Sequence, residues 1–494
     1  MNNKLLLVYL SVLVAKLLAE SIVVKTKWHE VVIKSKTTAT FQIVTNPLVL
    51  PTSPIGAQVY KNIKELNAEW SRFAAWYPYP RMSVAELHPP RCDASVNKTS
   101  WDFKLLDPQV TNFLDANAGR TSYLSFCTQP AWLFKDTKVD IPKDYTVPTW
   151  SYQQGSKLVD ESAQQIADYY ARMAAWYSHG GFIDECGDLQ KSNHHYNIAG
   201  FEVFTVEYYT KVYDKVVAKV RRYLPNAEFI GLSLINPRRN YNYINYFLNS
   251  SNHDAGIPLD WISYHFYAEP DDSKPVDSWS KQIFEQTDDF LSHVPEFEKI
   301  RKSLSPNTKT TINELGVILG GSATQQQPKP IPDAYWNIAA AQYAYCYVKL
   351  ASLGIDAVGM SQMVGYPSQY PSVSMVNWET GVGNARYFVL KLINKHIGVQ
   401  NGNRDVTLVQ TEQASSLVFV QSFIVAGKSE RWVKKTLILN KSSSNLVVEI
   451  DGMTGGELEY LDTTTGTYSD AKQIKTKNAI QVGPYFVGVV TYDE

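Results

Sequence analysis

Between residues 38 and 395, short apolar runs bounded by turn residues alternate with stretches whose apolar positions recur every three to four residues. The first pattern suits strands buried on both faces; the second suits helices that lay one stripe on a sheet. In alternation they predict parallel strands joined by crossover helices. Eight strands are predicted: Thr40 to Val44, Ser71 to Tyr77, Thr121 to Cys127, Gly200 to Phe204, Glu228 to Leu234, Trp261 to Tyr267, Thr310 to Leu315 and Ala357 to Met363. Helices are clearest over Ala163 to Tyr177, Val206 to Tyr223 and Tyr335 to Leu353. In the second, Tyr209, Val212, Val216, Val217 and Val220 form one stripe. Thr205 is its expected N-cap, and Gly354 is the expected C-cap of the third. Eight such units predict an α/β fold, a (β/α)8 TIM barrel.

From about residue 396 the period shortens to two, with glycine- and threonine-rich turns. Ser416 to Val425, Thr436 to Asn440, Leu446 to Ile450, Glu457 to Tyr460 and Tyr485 to Tyr492 read as strands of a C-terminal β-sandwich domain. Ser21 to Lys34 also alternates and is a candidate extra strand for that sandwich. The expected organisation is a signal peptide over 1–20, an N-terminal strand segment over 21–37, a barrel over 38–395 and a β-sandwich over 396–494. A chain of 494 residues exceeds the usual size of one core, which agrees with two domains.

The N-terminus changes the expected location. Lys4, the apolar run from Leu5 to Ala15 and the small Ala19 have the layout of a secretory signal, and the run is too short to span a bilayer. A secreted protein, or one in the lumen of the secretory-lysosomal route, is expected, with no stable membrane insertion after cleavage. Asn-x-Ser/Thr triplets at Asn97, Asn249 and Asn440 fit that route. The four cysteines, Cys92, Cys127, Cys186 and Cys346, lack the close pairs of a zinc or redox motif and leave room for one long-range disulfide without assigning it. Lysines plus arginines (47) nearly cancel aspartates plus glutamates (48), so no long-range field favours nucleic acid. Aromatic content is 13 %, and ring faces suit the flat C–H faces of sugars, although a large barrel also uses such residues in its core.

In such a barrel the reactive groups sit at the C-terminal ends of the strands. The seventh predicted strand ends Thr-Thr-Ile-Asn-Glu-Leu-Gly, which places Glu314 beside Asn313, a candidate substrate-binding residue. A carboxylate there is suited to attack an anomeric carbon as it gains oxocarbenium character. The sixth ends Ser-Tyr-His-Phe-Tyr and aims His265 and Tyr267 at the same mouth. Arg72, Trp76 and Tyr77 on the second strand, Trp132 after the third and Trp378 after the eighth are candidate walls and floor for a glycan or glycoside. No metal or organic cofactor is required by this chemistry.

Over roughly Gly56 to Ile397 these residues resemble glycoside hydrolase family 39 and its relatives, a clan of retaining glycosidases. The most specific segments are Arg72 to Pro80, Trp101-Asp102-Phe103, Tyr169 to Gly181, Leu259 to Tyr267, Thr310 to Gly316 and Asn377 to Ile393. The resemblance implies that Glu314 is the nucleophile of a retaining mechanism with a covalent glycosyl-enzyme. It also implies an Asn-Glu after the fourth strand, the glutamate being the acid/base. Here Phe201-Glu202-Val203-Phe204 runs at once into Thr205-Val206-Glu207-Tyr208, and that Asn-Glu is missing. Glu202 reads as part of the strand. Glu207 is a substitute acid/base candidate, although a first-turn carboxylate already has a role beside the helix dipole. Asp184 and Glu185 are two others. Two functions therefore stand: a secreted glycoside hydrolase, retaining or catalytically impaired, and a carbohydrate-binding pseudoenzyme using the same aromatic pocket.

Overall fold

The computed structural model describes residues 21–494 apart from 94–99, 150–153, 204–207, 236, 238–239, 321–329, 399–405, 414, 427–431, 453 and 493–494. The signal-like segment, the Thr205 cap, Glu207 and the Asn97 triplet thus lie outside the described residues.

Eight parallel strands close into a barrel: β1 (Thr38–Val44), β2 (Trp70–Ala75), β3 (Thr121–Phe126), β4 (Gly200–Glu202), β5 (Glu228–Leu234), β6 (Trp261–Ala268), β7 (Lys309–Val317) and β8 (Ala357–Met360). They are hydrogen-bonded in sequence order, and β8 returns to β1 to complete the cylinder. Each strand is followed by an outer helix, among them Gln164–Ser178, Tyr209–Val220, Asp333–Leu353 and Ala385–His396. The eight expected strands all form, with ends shifted by a few residues. In Tyr209–Val220 the four valines of the stripe are fully buried against the barrel. Gly354 ends Asp333–Leu353 at φ 79°, the left-handed cap expected of it.

The helix Asp333–Leu353 is buried on nearly every side because it lies between barrel and β-domain. Its Tyr345 ring meets Phe419 of the β-domain at 5.0 Å. The β-domain is hydrogen-bonded as one nine-stranded sheet rather than two. Val24, Val448 and Ile480 share a core with Val418, Ile438 and Val490 from the other side of the strand order, so the sheet folds over on itself and packs as a sandwich would. Ile22–Ser35 runs within it, antiparallel to Val406–Gln413 and parallel to Leu446–Ile450.

The barrel interior is layered. At the N-terminal end Trp70, Tyr123 and Trp261 form an aromatic plug, in which Glu228 accepts from the Tyr123 hydroxyl at 2.5 Å and the Trp261 indole at 2.6 Å. The plug forces β4 close to β5: a Cβ on Gly200 would lie 1.9 Å from the Glu228 carbonyl and 2.7 Å from the Tyr123 ring. Gly200→Ala should therefore cost at least ~1–3 kcal/mol, read as a lowered melting temperature, because relief requires β4 to leave its partner. An unchanged melt would contradict this packing.

Candidate active site

Neighbouring residues on a regular strand point to opposite faces, yet Asn313 and Glu314 both point into the barrel. The register of β7 against β6 and β8 slips between Thr311 and Leu315, and this irregularity turns both side chains inward. The Asn313 amide donates to Glu202 Oε1 at 2.8 Å. One step nearer the mouth, Glu314 accepts from Arg72 Nη1 at 2.8 Å and from the Tyr267 hydroxyl at 2.9 Å. His265 Nδ1 lies 3.4 Å from the same carboxylate. Glu314 keeps 21 % of its side chain exposed, toward a cavity of about 440 Å³.

Beneath it, Arg72 and Glu202 form a wholly buried ion pair. Arg72 Nε donates to Glu202 Oε2 at 2.6 Å, and Nη1 also reaches Gln42 on β1. Ser233 donates to the other Glu202 oxygen. To deliver that hydroxyl, Leu232 and Ser233 adopt φ of 79° and 49°, a left-handed backbone that non-glycine residues hold only where their surroundings impose it. Burial opposes the Arg72 charge, but Glu202 and Glu314 more than offset this, so its pKa is raised. Burial likewise works against ionising Glu314. The field of His265 and Arg72, with hydrogen bonds from Arg72 and Tyr267, overcomes it and holds the carboxyl below the usual range. Burial pushes the His265 imidazole down, so near neutral pH Arg72 supplies the lasting positive charge. Glu314 is thus an ionised, oriented carboxylate at the open end of the barrel.

Of the residues singled out in the sequence, Arg72, Trp76, His265, Tyr267 and Glu314 line this cavity. Asn313 is turned down to Glu202. Trp132 packs on the barrel core with its indole N–H given to the Glu86 carbonyl at 3.0 Å. Trp378 also packs against the core, and the Tyr77 ring lies 4.1 Å from that of Trp76. None of these four is among the lining residues. Sequence reasoning missed Gln42, Ser233, Ser361 and Tyr370, which do line it. For Gln42 and Ser233 a signal existed: a polar residue at an inward position of an otherwise apolar strand.

Three other acids weighed in the sequence, Glu202, Asp184 and Glu185, are engaged elsewhere. Glu202 is sealed beneath Arg72. Asp184 caps a hairpin turn, accepting from the backbone of Cys186 and Asp188 at 2.9 Å each. Glu185 is held by Arg172 and the Trp101 indole. A disulfide joins Cys92 and Cys186, whereas Cys127 and Cys346 are buried free thiols. Asn440 is fully buried and its amide donates to three carbonyls, so that triplet cannot accept a glycan; Asn249 is partly exposed. Among the described residues no helix is long and apolar enough to cross a membrane.

The sequence matches no known family and no curated protein. Solved structures do match the fold. An arabinofuranosidase aligns with a TM-score of 0.60 and 11 % identity, over 96 % of this chain and 100 % of its own. The family 51 arabinofuranosidase of Xanthomonas axonopodis pv. citri gives 0.57 and 12 % over the same shares. A monomeric β-xylosidase from Caulobacter crescentus CB15 gives 0.55 and 11 %, over 95 % and 99 %. The chain has the (β/α)8 fold of glycoside hydrolases with a C-terminal β-domain. These likenesses are of fold, and they do not single out family 39.

Proposed function

We propose that this chain is a retaining glycoside hydrolase of the secretory route, related to family 39, in which Glu314 attacks the anomeric carbon. The observation that carries the reading is the Glu314 carboxylate itself: ionised, fixed by Arg72 and Tyr267, and opening on a cavity at the C-terminal end of a closed barrel. The pocket volume and the Trp76 ring on its wall suit a sugar ring. The disulfide between Cys92 and Cys186 favours an oxidising compartment and so agrees with the signal-like N-terminus.

One observation favours a second reading, a sugar-binding pseudoenzyme: Glu202, at the end of β4, is inaccessible and cannot serve as the acid there. An activated aryl glycoside separates the two, because its leaving group departs without protonation. An enzyme should release a burst of phenolate and gain one glycosyl mass. Glu314→Gln should abolish both. Binding of the glycoside with neither burst nor adduct would establish the pseudoenzyme.

A further inference from the structure

We propose that Glu269, just beyond the end of β6, is the proton donor in place of Glu202, which is sealed at the end of β4. The inference rests on Glu314 acting as nucleophile. His265, Tyr267 and Glu269 alternate along one face of the β6 end, and all three line the cavity. The first two touch Glu314; the third stands nearer the mouth, exposed to solvent. Among the described residues Glu269 and Glu314 are the carboxylates that line this cavity.

The register gives their separation along the wall. Glu314 lies beside His265, so Glu269 is four residues further on, ~13 Å at ~3.3 Å per residue. Both side chains line the one cavity, and retention requires their carboxyl groups to come within about 5–5.5 Å of each other there, so the role calls for Glu269 to lean down over Glu314. The Glu269 backbone is fixed: its N–H donates to Gln286 Oε1 at 2.8 Å and its carbonyl accepts from the same amide at 2.9 Å. Tyr370 stands on the cavity wall within the field of both carboxylates. Burial first, then Glu314 and Glu269, raise its pKa, so its phenol stays protonated and uncharged in the cavity they share.

The step balances. As Glu314 bonds to the anomeric carbon, the bond to the leaving oxygen breaks and its electron pair takes the Glu269 proton. The Glu269 carboxylate then accepts a proton from water, whose oxygen displaces Glu314 and returns both groups to their starting states.

The full-length disulfide-bonded protein, Glu269→Gln and Glu314→Gln would be assayed on paired dinitrophenyl and phenyl glycosides of β-D-xylose, α-L-arabinofuranose and β-D-glucose. With Glu269→Gln the dinitrophenolate burst and covalent adduct should persist. Its kcat/KM on the phenyl partner should fall on the order of a hundred- to ten-thousandfold. Azide should restore turnover of the dinitrophenyl glycoside and give a glycosyl azide. Wild-type rates of Glu269→Gln on phenyl glycosides would overturn the assignment while leaving Glu314 in place. No adduct from the wild-type protein on any donor would overturn the proposed function and this assignment with it.

Discussion

Arg72→Met is expected to destabilise the protein by ~3–5 kcal/mol, because it strands the Glu202 carboxylate, with no exposure, against a layer built to receive a cation. Glu202 would retain Asn313 and Ser233, which are neutral donors, and Gln42 would lose its contact. The cost is one of breaking a pair, not the net worth of the pair. Glu202→Gln in the same chain should therefore recover much of the loss, and a double-mutant cycle read by denaturant unfolding would measure the coupling. The double variant should still lack the cation that holds Glu314 ionised, so its Glu314 should titrate at higher pH. A single variant as stable as the parent would mean that the ion pair is not what fills the centre of the barrel.

The second large effect concerns Glu86, far from β7. Its side chain has no exposure, and one oxygen accepts from Ser100 at 2.8 Å. The other has no hydrogen-bond partner among the described residues. Burial, reinforced by Glu185, pushes the carboxyl up to about 8. A group protonated in the folded state and ionised in the unfolded one stabilises fully below the unfolded value near 4.3, and this contribution is lost as pH rises through about 8. Stability should fall by on the order of 5 kcal/mol across that window. Glu86→Gln keeps the shape without the charge and should flatten the profile. Unfolding free energies at acidic, neutral and mildly alkaline pH would check it, and a parent profile as flat as the variant's would refute it.

The barrel was legible because its strands are short apolar runs and its helices amphipathic, and both periods survive without knowledge of the partners. Glu314 was legible for the same reason: the alternation in Thr310–Leu315 ends at the place where a barrel puts its chemistry. What the pattern could not give is the slip at Asn313, since a bulge depends on two neighbouring strands rather than on local composition. Asn313 was consequently aimed at substrate, whereas it supports Glu202. Trp132 and Trp378 were placed on the pocket by type alone, and an aromatic serves a core as readily as a sugar. The strand Lys472–Lys475 is exposed throughout, so no apolar face announced it. Glu86 lies in an irregular segment, where nothing in the flanking residues signals that an acid will be enclosed.

The sheet that holds Ile22–Ser35 carries a consequence for biosynthesis. That strand leaves the ribosome before the barrel, but both partners that flank it, Val406–Gln413 and Leu446–Ile450, emerge only after the whole barrel has been made. Until then it presents two bare edges to every other nascent chain nearby. A premature stop before these late strands would leave a finished cylinder with an unmated ribbon, a species suited to capture by chaperones.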